Sequence, residues 1–278
     1  MASRPSAYPL FKFGIFALLS VNVALFLLED ASASVQTFQD GVSWRNFVDA
    51  YSRTVDTVAW LLLLLMFELE TSTISDEKLK GALIWVLTIT RAVCYAFIVY
   101  ACYGYMTKYG LVTNVTPLVA DPCSLVGSNL TYPRTLDEYF PITPEICRTI
   151  QGKSLYQIVG TTVVGTPEIM SLLGRLALTD VLNSVAWLLT VAILEAEVWL
   201  QLRNRLTAVM AISRHVKSVF YLVLLACAIY WWIDGDFLDF WDAFLWLVAF
   251  VFIDLNIFKW QAETTRELKY QETRGAAR

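Results

Sequence analysis

Residues 82–105 read ALIWVLTITRAVCYAFIVYACYGY, an apolar run in which Arg91 is the only charge. A helix rises ~1.5 Å per residue and the hydrocarbon core of a bilayer is ~30 Å thick, so this stretch is long enough to cross it. Residues 10–28, 48–67, 181–200, 216–233 and 243–258 meet or approach the same standard. Arg53, Asp56 and Asn183 interrupt the ends of the second and fourth. The sequence therefore predicts an all-α integral membrane protein with six transmembrane helices.

Composition agrees. Of 278 residues, 57% are hydrophobic and 17% charged, against roughly 25% charged in soluble domains. The mean hydropathy is +0.54. Lys and Arg number 21 against 25 Asp and Glu, which excludes a basic nucleic-acid binder. The apolar content excludes a disordered chain.

Basic residues set the expected orientation. With a cytoplasmic N-terminus, Arg4, Lys12, Lys78, Lys80, Arg203, Arg205, Arg214, Lys217 and the basic residues from Lys259 to Arg278 all lie inside. The short outer loops then keep only Arg45 and Arg53. Both termini are expected in the cytoplasm of a cell whose plasma or inner membrane holds the chain. A rival reading takes Lys12, the following apolar run and Ala31-Ser32-Ala33 as a cleaved signal peptide, which leaves five spans.

Residues 107–180 form the expected extracytoplasmic loop, rich in Pro and Gly and so in turns. Cys123 and Cys147 lie within it and are the expected disulfide pair; Cys94, Cys102 and Cys227 fall in spans as packing residues. Asn114 and Asn129 begin glycosylation sequons, which matter only in a eukaryotic secretory pathway. Residues 155–178 suggest an amphipathic or re-entrant segment. Within them Thr161-Thr162-Val163-Val164-Gly165 lacks the Gly-Tyr-Gly core of a potassium filter.

Three ungapped stretches share the pattern [DN]-x3-W-x7-[ED]-x-[EN]. They are Asp56…Trp60…Glu68-Leu69-Glu70, Asn183…Trp187…Glu195-Ala196-Glu197 and Asp242…Trp246…Asp254-Leu255-Asn256. The span before each opens with Lys12, Lys80 or Lys217. The chain thus reads as three similar hairpins in a pseudo-threefold repeat: residues 10–70; 80–106 with 181–200; and 216–258. Residues 1–9 and 259–278 are the cytoplasmic ends, and the mixed charges of the latter suit a partner.

Within each copy the two polar groups are 12 residues, or ~18 Å, apart, less than the thickness of the hydrocarbon. One of them must lie within the membrane zone, or the bilayer must thin around it. Glu68, Glu195 and Asp254 are expected to face the bundle interior, with Glu70, Glu197 and Asn256 nearer the headgroups. Arg91, ~16 Å beyond Lys80, is expected to pair with Asp56 at matching depth.

His215 is the only histidine, so a zinc site is not expected; a carboxylate-only site for Mg²⁺ or Ca²⁺ stays open. No cofactor, nucleophile or phosphate-binding motif is evident. Two functions fit. One is a cation or small-solute channel or transporter, with Glu68, Glu195 and Asp254 as an acidic ring at the cytoplasmic mouth. The other is a non-catalytic subunit of a larger membrane complex. The expected partners are the bilayer, cations and other membrane subunits or further copies of the chain.

Overall fold

The computed structural model describes residues 7–38, 40–69, 81–201, 209–235 and 237–250. Glu70, Asp254, Asn256 and the 259–278 tail lie outside the described residues. The described chain is mostly helical. Its long helices are α1 (Ala7–Thr37), α3 (Ser52–Glu68), α4 (Ala82–Thr113), α6 (Pro167–Gln201) and α7 (Val209–Asp234), with a short α2 (Phe47–Ala50) before α3. Residues 237–250 are helical as well and are called α8 here.

Four segments are long and apolar enough to cross a membrane: Phe11–Thr37, Ala82–Thr113, Pro167–Glu197 and His215–Asp234. Helix α3 has 17 residues and α8 has 14 described ones, both shorter than these. The chain is accordingly a membrane protein. Its exposed side chains support that: Trp85, Val86, Ile89, Val93 and Phe97 on α4 and Leu222, Leu225 and Ile229 on α7 face outward. A soluble protein would bury such a band, whereas lipid tails solvate it at no cost.

The bundle packs α4 against α3 and α6, α7 against α6, and α1 against α3. Leu19, Trp60, Leu64, Ile98, Ala186, Leu224 and Trp246 form the core. Gly104 lets α4 approach closely, since a Cβ there would stand 3.2 Å from both Ser52 Cβ and the Val48 carbonyl oxygen. Small residues at helix contacts are the usual device where apolar burial cannot drive association.

Helices α4 and α6 outrun the apolar segments read from sequence. Residues 82–113 rise ~48 Å, more than the hydrocarbon needs, so α4 projects beyond it. Helix α6 begins at Pro167, whose missing N–H costs nothing at the first turn, with Glu168 at the positive end of the dipole. The connection between them shrinks to residues 114–166 and is not a plain loop. It carries β1 (Val115–Leu118), β2 (Thr131–Pro133), β3 (Tyr139–Pro141), a short α5 (Pro144–Ile150), β4 (Leu155–Ile158) and β5 (Val164–Gly165). Strand β4 pairs antiparallel with β1, in register Val115↔Ile158 to Leu118↔Leu155, and with β5. Gly160, at φ +78°, turns the chain between β4 and β5 where an L side chain would strain.

The expected amphipathic or re-entrant segment at 155–178 is therefore two strands followed by the first turns of α6. The Cys123–Cys147 disulfide is present, and Cys94, Cys102 and Cys227 are free and buried. The layer docks on the end of α1, where the Thr162 hydroxyl donates to the Gln36 carbonyl at 3.1 Å. Helix α1 runs unbroken through Ala31-Ser32-Ala33 and is packed into the bundle, with Leu19, Asn22 and Phe26 buried.

Candidate functional site

The site lies at the end of the bundle that the β layer covers. Its elements are three helical stretches with like-spaced polar residues. On α3 they are Arg53, Asp56 and Trp60; on α6, Asp180, Asn183 and Trp187; on α8, Asp239, Asp242 and Trp246. Offsets of three and four residues put each trio on one helix face. All nine side chains line one cavity of about 60 Å³, together with Phe26, Tyr105, Trp231 and Phe250.

The Asp-x3-Trp spacing has a local cause. A carboxylate one turn before an indole lies beside it on the same helix face, and Asp56 with Trp60 and Asp242 with Trp246 share this spacing and one cavity wall. The tryptophans then meet: Trp60 has its ring centroid 6.2 Å from that of Trp187 and 6.4 Å from that of Trp246, with Phe250 4.6 Å from Trp187. Asp242 also accepts from Asn22 Nδ2 of α1 at 2.8 Å, and Asp56 accepts from the Tyr105 hydroxyl of α4 at 3.4 Å. Asp56 lies near enough to Asp242 for the two charges to repel. The Oδ1 atoms of Asp56 and Asn183 are buried without a hydrogen-bond partner.

Above this cavity sits Arg53, 4% exposed, at the centre of a buried charge network. Its Nη1 meets Asp137 Oδ2 at 3.0 Å and Asp239 Oδ1 at 3.1 Å, its Nη2 meets Glu29 Oε2 at 3.1 Å, and its Nε meets Asp30 Oδ1 at 3.3 Å. The guanidinium stacks 5.0 Å from the Phe26 ring. Asp30 is fixed in turn by the Thr54 N–H at 3.0 Å and hydroxyl at 2.7 Å. Five donors in a rigid fork allow one arginine to serve carboxylates from four directions, which lysine cannot do. A second cavity of about 240 Å³ lies across the network, lined by Asp30, Ser34, Thr37, Asp49, Thr107, Lys108, Asp137 and Tyr139. Asp30 and Asp137 belong to its wall, Arg53 and Asp239 to the wall of the smaller one, so the network is the partition between them.

Asp137 ties the β layer to the bundle. Burial alone would push its carboxyl up, but Arg53 and Lys108 (Nζ to Oδ1, 2.6 Å) hold it below the usual carboxylate range. Burial and the Asp137 charge push the nearby Tyr139 phenol up, so it stays a donor. A depressed carboxyl contributes stability that is complete above its ordinary value of 3.8 and is lost as pH falls through the lower folded value. The protection of residues 131–141 from hydrogen exchange in detergent, taken relative to the intrinsic rate at each pH, should therefore hold down to about pH 4 and fall below it. Asp137→Asn should show the lower protection already at neutral pH.

The expected Arg91–Asp56 pair does not form. Asp56 faces Tyr105, Trp60 and Asp242, and Tyr105 lies 14 residues, or ~21 Å, further along α4 than Arg91. Arg91 instead neighbours Tyr95, whose hydroxyl donates to Glu195 at 2.6 Å. The two charges sit at opposite ends of the bundle because α3 and α4 are offset along their axes.

At that far end Glu68 pairs with Lys12, and Glu197 pairs with Lys217 at 2.9 Å and accepts from Ser213. Glu195 is exposed and Glu197 half-buried, the reverse of the expected arrangement in that copy. Lys217 is buried, so the acid that neutralises it, Glu197, is the one drawn inward. Among the described residues no group of three or more His, Cys, Asp and Glu could hold a metal ion.

Sequence reading missed Arg53, Asp180 and Asp239 as site residues. The signal was present: each lies three residues before the Asp or Asn of its stretch, and one copy carries Arg where the other two carry Asp. Trp231 and Tyr105 are buried against the cavity as well. No protein-family model matches the chain, and no curated protein or solved structure matches it significantly.

Proposed function

We propose that the chain is a six-span membrane protein built as three hairpins with cytoplasmic termini, and that it carries a cation or small-solute pathway. The observation that supports this most is the polar cavity between α3, α6 and α8, where Asp56, Asn183 and Asp242 converge within otherwise apolar helices. Carboxylates in a bilayer are expensive, and facing a water-sized cavity is the usual return on that cost. At ~15 Å³ of accessible volume per water, about 60 Å³ holds a few waters or one ion with part of its shell. Arg53 closes the route to the larger cavity, so this is a shut conformation, and conduction requires its guanidinium to move. Glu68, Glu195 and Asp254 supply negative charge at the cytoplasmic mouth.

Cation flux into proteoliposomes tests the reading. Asp56→Asn with Asp242→Asn should lower flux at least about tenfold, the effect of losing ~1.4 kcal/mol of cation stabilisation. Glu68→Gln with Glu195→Gln and Asp254→Asn should lower it further. Wild-type vesicles that pass no cation at any potential or pH would sink the pathway. One observation favours the accessory-subunit reading: Lys12 pairs with Glu68, neutralising an acid that an open ring would leave free. Absence of flux together with a co-purifying membrane partner would establish it.

A further inference from the structure

The cavity beneath Arg53 presents oxygen acceptors that nothing in the protein satisfies. Asp56 Oδ1 and Asn183 Oδ1 are both buried and unpartnered, on two different helices that line one void. A buried acceptor without a donor costs about 1–3 kcal/mol, more when charged, so two of them around a shared space need an occupant that supplies positive charge or donors. Asp242 sharpens the demand. Its carboxylate accepts from Asn22 and lines the same void as Asp56, and two carboxylates sharing a desolvated site cannot both carry charge without a cation or a proton between them.

The chemistry of the walls narrows the occupant. All these ligand atoms are oxygens, which suits a hard cation rather than one that prefers sulfur or imidazole. Among the described residues no group of three or more acidic, His or Cys side chains could hold a metal ion, and two carboxylates with one amide oxygen offer a divalent cation few ligands. Much of the rest of the lining is aromatic, with Trp60, Trp187 and Trp246 one turn deeper than Asp56, Asn183 and Asp242 and Phe250 a further turn on. Rings of this kind attract weakly hydrated monovalent cations and do little for strongly hydrated divalent ones. The void of about 60 Å³ is too small for a large organic cation.

We propose that this cavity binds one small monovalent cation, of potassium or ammonium size, between Asp56 Oδ1, Asn183 Oδ1 and the Asp242 carboxylate. Arg53 does not oppose it, because Asp30, Asp137, Asp239 and Glu29 already offset the guanidinium. The inference names the species for the proposed pathway and rests on that reading for its place in a route, but binding at equilibrium needs no gradient and is measured apart from flux.

The test uses the full chain in detergent, titrated with KCl or NH₄Cl against N-methylglucamine chloride at constant ionic strength. Because four tryptophans line the cavity, tryptophan fluorescence reports occupancy, and the thermal midpoint reports linked stabilisation. Potassium or ammonium should shift both with saturation, whereas N-methylglucamine and MgCl₂ should not. Of the two cations, ammonium binding tighter would point to donated N–H bonds, and potassium binding tighter to plain oxygen ligation; either supports the site. Asp56→Asn, an isosteric change that also removes the repulsion with Asp242, should raise the apparent Kd at least about tenfold. Asn183→Leu keeps every charge and fills the void, so it should abolish the response in a protein that still elutes as a single species. Response to MgCl₂ alone, no response in wild type, or an unchanged response in Asn183→Leu would overturn the proposal. Flux without this binding leaves the pathway and removes the site; binding without flux does the opposite.

Discussion

Arg53→Met should cost the folded protein about 3–5 kcal/mol. The cost does not come from the attraction lost, since much of that is spent on desolvating the ions. It comes from what remains: Asp30, Asp137 and Asp239, all buried or nearly so, with Glu29 beside them and only Lys108 left as a cation at Asp137. Arg53→Lys should fall between, because one ammonium cannot reach carboxylates placed around the guanidinium by α1, α8 and the β layer. Adding Asp239→Asn to Arg53→Met should recover part of the loss, as expected for residues in one network. Thermal unfolding in detergent, followed by tryptophan fluorescence, measures all of these. Equal midpoints for wild type and Arg53→Met would show that the network contributes nothing to stability.

The apolar helices and the cysteine pair were legible in the sequence because each depends on local information. A run such as residues 82–105 has few other uses, and two cysteines in one exported segment have few other partners. The Asp-x3-Trp motif was legible for the same reason, being a spacing of one helical turn that puts both side chains on one face. Helix ends were not. Hydropathy falls where lipid ends, while α4 and α6 continue through Thr107, Lys108 and Asp180 into the polar layer. The strands were hidden because each has only two to four residues, three of them including a proline, too short for alternation to register. Arg91 was misplaced because a depth count along one helix assumes that its neighbour starts level. Arg53 needed partners from residues 29 to 239, which no window of sequence contains.

Replacing Cys123 and Cys147 by serine should destabilise the β layer by about 3 kcal/mol and leave the bundle folded. The bond joins the turn Pro122–Leu125 to α5 with Cα atoms 4.9 Å apart and closes a separation of 24 residues. In the chain-entropy account it acts by restricting the unfolded segment. The layer depends on it because its own core is slight: Ile150, Leu155 and Val164 are the fully buried members of the cluster there. Limited proteolysis should then cut within residues 119–153 while the helices resist, and a variant cut no faster than wild type would refute the dependence. The same closed loop contains Asp137, the side chain that reaches Arg53 and Lys108. A disulfide that confines residues 123–147 therefore also limits how far Asp137 can leave the partition between the two cavities. Its loss should quicken hydrogen exchange at residues 131–141 in the wild-type background and add little once Asp137→Asn has already released the contact. Fully additive effects would mean that the bond and the carboxylate hold the layer independently.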